Sequence, residues 1–116
     1  MLRALLTVAF VFALATPALA ADAAEGAKSF ATFCSTCHGE KGAGDGVAAA
    51  GLDPKPANFA TAEFWKGKDD AYLTKVIKEG GAAVGKSPLM APWGGVLDDA
   101  KIADVVAFMN TLKPTK

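Results

Sequence analysis

Both cysteines and the single histidine of this chain lie within five consecutive residues, Cys34-Ser35-Thr36-Cys37-His38. No other feature restricts the fold as much, because whatever this pentad does must be done in one place. A structural zinc site of four Cys or His ligands is excluded by the count alone. A thioredoxin-like C-x-x-C pair expects a βαβ setting, and no segment here alternates polar and apolar residues with period two. A disulfide between residues i and i+3 of one helical turn closes a short loop and stabilises little.

The spacing has another physical use. Residues i and i+3 face the same side of a helical turn, so two sulfurs can bond to one flat group. The imidazole that follows can swing toward that group's centre. The pattern C-x-x-C-H is that of c-type haem attachment. Cys34 and Cys37 are therefore expected to hold one covalent haem c through its vinyl groups, with His38 as the proximal iron ligand.

Length and composition agree with a small exported domain. A chain of 116 residues predicts one domain, and a formal net charge of zero lacks the basic footprint of a nucleic-acid binder. The mean hydropathy of +0.27 is high for a soluble chain, and the excess sits at the front. Of residues 1–20, 16 are hydrophobic and Arg3 is the only charge. A short apolar run, Val8 to Ala15, is followed by Pro17 and by Ala18-Leu19-Ala20. That order is a secretory signal peptide cleaved after Ala20. A spanning helix needs about 20 apolar residues, so no stable membrane insertion is expected after cleavage. The remaining domain, 21–116, is 46% hydrophobic with a net charge of −1, and the expected location is the periplasm.

The rest of the domain reads as all-α with long loops, three to five helices in total. Asp22 and Glu25 form a capping-box pattern that opens a helix over about 23–36. Residues 39–60 carry five Gly and two Pro, a long irregular loop of a kind that is usually functional. Thr61 is placed to cap a short turn to Trp65. Asp69 or Asp70 opens a helix bearing Leu73, Val76 and Ile77, which stops at Gly80-Gly81. A second loop runs from Ala82 to Val96. Asp98 and Asp99 open the last helix, whose apolar stripe is Ile102, Val105, Val106, Met109 and Leu112, with Pro114 ending it.

A haem iron with one protein ligand can bind gases, and with two it mainly carries electrons. No second histidine exists, and Met1 leaves with the leader, so the candidates are Met90 and Met109. Met109 lies in a helical apolar stripe, where a Met is more often core. Met90 lies in the loop Lys86-Ser87-Pro88-Leu89-Met90-Ala91-Pro92, stiffened by two prolines, and is the expected distal ligand.

In these features the chain resembles a class I c-type cytochrome of the small bacterial periplasmic kind. The resemblance rests on the pentad, the Gly-rich stretch Gly39 to Gly46, the loop Met90-Ala91-Pro92-Trp93-Gly94-Gly95, and the last helix with Val105-Val106-Ala107-Phe108. It implies a cytochrome c fold wrapped around one haem, with the first and last helices crossing at Gly26, Phe30 and Phe108. It implies that a proline carbonyl, Pro54 or Pro56, accepts a hydrogen bond from His38, and that Trp65 or Trp93 contacts a haem propionate. Many relatives have Pro where Ala91 stands.

The function expected is non-enzymatic: a monomeric one-electron carrier that docks transiently on redox proteins. A haem-based ligand-binding sensor and an electron-entry subunit of a larger oxidoreductase are the alternatives. Lys41, Lys55, Lys66, Lys68 and Lys86 are spread among the loops, but acids are equally frequent, which reads as a mixed solvated surface rather than a basic docking ring.

Overall fold

The computed structural model describes residues 9–13 and 20–115. The expected leader at 1–20 and its cleavage site therefore lie largely outside the described residues. Five helices follow in chain order: α1 (Ala23–Phe33), α2 (Ser35–His38), α3 (Ala62–Trp65), α4 (Asp70–Glu79) and α5 (Asp99–Asn110). Single 3₁₀ turns form at Ala49–Gly51 and Gly81–Val84. Among the described residues there is no strand, and no helix is long and apolar enough to cross a membrane.

The three longer helices start on aspartate caps. The Asp22 carboxylate accepts from the Ala24 and Glu25 amides, Asp69 from Tyr72, and Asp98 from Lys101. Each takes up amide donors that the first helical turn leaves without partners. The capping box at α1 is only half formed. The Asp22 N–H donates to Asp104 Oδ1 on α5 at 2.7 Å, while Glu25 pairs with Lys28 on the helix surface. The cap thus ties α1 to α5 rather than closing on itself. Thr61 stands at the start of α3, but its hydroxyl donates to the Asn58 carbonyl and caps nothing.

α1 and α5 cross at Gly26, where a Cβ would overlap the Asp104 carbonyl. Only a residue without a side chain lets the two backbones come this close. One turn further along α1, Phe30 packs on Phe108 with ring centroids 5.1 Å apart. This is the crossing that the resemblance implied. Leu73, Ile102 and Val105 are 0% exposed, and with Phe30, Ile77, Leu97, Val106 and Met109 they form one core between α1, α4 and α5.

The first helix does not run unbroken to residue 36. Cys34, with φ −114°, interrupts it, and the chain resumes as α2 through His38. The backbone stays hydrogen-bonded across the break, with Cys34 N–H donating to Phe30 and His38 N–H to Cys34. The Gly-rich loop then folds back on α2. Amides of Gly44, Gly46 and Ala48 donate to the carbonyls of His38, Cys37 and Thr36. A four-residue helix has no ladder of its own to satisfy its last carbonyls, and the loop supplies those donors.

Candidate functional site

The pentad sits where α1 breaks, so its side chains leave the α1–α5 layer and enter the space beside it. Cys34 is buried and Cys37 half-buried, and no disulfide links them. Burial, together with the nearby Cys37, pushes the Cys34 thiol up to about 11. His38 is half-buried, and its Nδ1 lies 3.3 Å from the Ala57 carbonyl oxygen. A carbonyl only accepts, so Nδ1 carries the proton and the Nε2 lone pair is left free. Burial lowers the His38 pKa below the ordinary imidazole value, partly opposed by that carbonyl. Phe59 stacks on the imidazole at 4.7 Å and 23°, fixing the ring plane.

Neither proline named by the resemblance orients His38. The acceptor is Ala57, the residue after Pro56. Every residue has a carbonyl, so the choice among Pro54, Pro56 and Ala57 depends on the path of the loop.

One cavity of about 740 Å³ lies against these residues. Cys34, Cys37, His38 and Met90 all line it. Its wall is otherwise mostly apolar, with Phe30, Leu73, Ile77 and Val105 among the contributors. Its volume is within the range of a cofactor pocket. Two thiols and an imidazole with a free nitrogen on an apolar wall fit a covalently attached haem. Among the described residues no three Cys, His, Asp or Glu side chains cluster to hold a metal directly.

Met90 and Met109 both reach this cavity, so lining does not separate them. Their settings do. Met109 is 4% exposed and part of the α5 core stripe. Met90 is half-buried, on a loop seated against the end of α4. Gly81 N–H donates to the Met90 carbonyl at 2.8 Å, and Trp93 and Gly94 amides donate to the Ile77 and Lys78 carbonyls. Those contacts also satisfy carbonyls at the α4 C-terminus. A Cβ on Gly81 would overlap the Ser87 carbonyl and stand 3.1 Å from Met90 Cβ. The doublet Gly80-Gly81 therefore stops α4 and also makes room for the Met90 loop. Sequence reasoning found the first role and missed the second.

The tryptophans separate as well. The Trp65 indole donates to the Phe59 carbonyl at 2.9 Å, and Lys113 lies over its ring at 4.7 Å. Trp65 does not line the cavity, and its one N–H is already donated to Phe59. Trp93 is on the wall and packs against Phe33 at 5.5 Å. Phe59, which holds His38, had no sequence signal: an isolated Phe in an irregular loop reads as generic core.

Comparison with known proteins agrees with this geometry. The family model described as Cytochrome c matches residues 23–113. The chain is 38% identical to cytochrome c6 of Picosynechococcus sp., with 91% of this chain and 86% of that protein covered. It is 33% identical to the cbb3-type cytochrome c oxidase subunit FixP of Bradyrhizobium sp., over 78% of this chain but only 28% of that subunit. Among solved structures, the KustC0563 c-type cytochrome superposes with a TM-score of 0.60 at 26% identity, covering 76% of this chain and 96% of that one. The chain thus belongs to the cytochrome c family, as a small class I c-type cytochrome that carries electrons on one covalently bound haem c.

Proposed function

We propose that this cytochrome is an exported periplasmic shuttle whose haem is attached through Cys34 and Cys37 and whose iron is ligated by His38 and Met90. When bound, the haem supplies a one-electron iron couple. The residues of the chain do the rest. Ala57 and Phe59 hold the imidazole in one tautomer and one plane. Leu73, Ile77 and Val105 keep water from the cavity wall. Gly81 and Ser87 fix the Met90 loop through backbone hydrogen bonds. A thioether ligand favours the reduced iron and raises the potential. With two protein ligands the iron has no open position for a substrate, so the protein acts as a carrier and not as an enzyme. It works as a monomer, docking briefly through a small interface. The leader pattern of residues 1–20 supports export.

The observation that carries this reading is the Met90 loop, pinned by backbone hydrogen bonds at the wall of the cavity that also holds His38. Met90→Ala in the holoprotein is expected to abolish the weak far-red sulfur-to-iron absorption and to lower the midpoint potential. Met109→Ala is expected to keep both. The reverse pattern would transfer the ligand role to Met109.

The match to FixP supports a second reading, that of an electron-entry subunit of an oxidase-type complex. Gentle purification from the native source separates the two. Elution as a free small protein supports the shuttle, and stoichiometric co-elution with a catalytic subunit supports the complex.

A further inference from the structure

A haem brings two propionate carboxylates into a cavity whose wall is mostly apolar, and an anion taken out of water there needs a cation or strong donors. The charged groups on this wall, among the described residues, are Asp53, Lys55, Lys68 and Lys86, beside the side chain of Tyr72. Lys55 is exposed and already committed: its Nζ donates to the Ala49 and Ala50 carbonyls, each at 3.0 Å. Lys86 is exposed on the Met90 side. Lys68 differs from both. It is half-buried, and its Nζ stands 5.0 Å from the Phe64 ring centroid and 5.7 Å from that of Tyr72.

Local structure places it there. Gly67, with φ +67°, turns the chain after α3, and Lys68 N–H closes that turn on the Trp65 carbonyl. The two acids that follow are engaged elsewhere. Asp69 caps α4, and Asp70 accepts from Asn110 on α5. Among the described residues no carboxylate lies within 4.0 Å of the Lys68 ammonium. Each ring face attracts the cation electrostatically, without using up its three N–H donors.

We infer that the Lys68 ammonium, bracketed by Phe64 and Tyr72 at the cavity wall, pairs with a haem propionate. Lys68 is then a positioning residue for the cofactor, and it sets the acidity of that carboxylate. The inference rests on the haem occupying this cavity and does not depend on which methionine ligates the iron.

The test is the midpoint potential of the holoprotein as a function of pH, for the wild type and for Lys68→Met, Lys68→Arg and Lys86→Met. A cation beside a carboxylate lowers its pKa by about 1–3 units. Removing it lets the propionate take up a proton at higher pH, so the inflection in Lys68→Met is expected to move up by about one unit or more. Lys68→Arg and Lys86→Met are expected to leave it in place. An unmoved inflection in Lys68→Met overturns the inference, as does a shift produced by Lys86→Met instead. If Lys68→Met does not retain haem, Lys68→Gln takes its place with the same two outcomes. The pyridine haemochrome spectrum of each sample reports covalent attachment separately, so a failure at Cys34 or Cys37 is told apart from a failure at Lys68.

Discussion

The two tryptophans show what a single N–H decides. Trp65 spends its indole donor on the Phe59 carbonyl, and Phe59 in turn stacks on His38. Trp65→Phe keeps an aromatic ring but removes that donor together with the fused five-membered ring that carries it. It is expected to cost about 0.5–1.5 kcal/mol, read as a lower denaturant midpoint, with the absorption spectrum of the holoprotein unchanged. At this scale the pentad is legible because its chemistry is local: two thiols one turn apart and an adjacent imidazole need no long-range information. The His38 acceptor is not legible, since Ala57 offers nothing but a backbone carbonyl whose place is set by the loop. Lys68 is hidden for a similar reason. In sequence it is one of many loop lysines, and only the fold puts Phe64 and Tyr72 beside it.

Elements were easier to read where their ends carry chemistry. Asp22 and Asp98 cap where the pattern placed them, and Asp69 resolves the choice with Asp70. Gly80 ends α4 with φ +87°. The break at Cys34 was invisible, because nothing in Phe33-Cys34-Ser35 disfavours a helix; the loop that folds back on α2 is part of what holds it. Two glycines test how elements are joined. Gly26→Ala places a Cβ on the Asp104 carbonyl and must push α1 from α5. It is expected to cost about 1–3 kcal/mol of stability, as overpacking does, measured by denaturant unfolding of the holoprotein. Gly81→Ala strikes the Ser87 carbonyl and the Met90 side chain. Its expected effect is weakening or loss of the far-red sulfur-to-iron absorption with the far-ultraviolet helical signal retained.

For the whole molecule, the all-α class and the order of elements follow from periodicity, caps and glycine stops, but the cavity does not. A space of about 740 Å³ beside the core of a small domain is what long loops enclose when a prosthetic group completes the interior, and the sequence signs of it were the pentad and the long irregular loop of residues 39–60. Small domains bury a limited fraction of their surface and often depend on such a staple. Cys34→Ser combined with Cys37→Ser is therefore expected to give a largely unfolded chain by circular dichroism at neutral pH. A cooperative thermal transition in that variant would show that the helices support themselves.

The central claim is that the iron has two protein ligands, His38 and Met90, and so carries electrons without an open position. Its most direct test is the optical spectrum of the reduced holoprotein mixed with carbon monoxide at neutral pH. The expected result is a spectrum that stays unchanged on mixing, with CO binding appearing only in Met90→Ala. Rapid CO binding by the unaltered protein would contradict the claim and make it a ligand-binding haem protein.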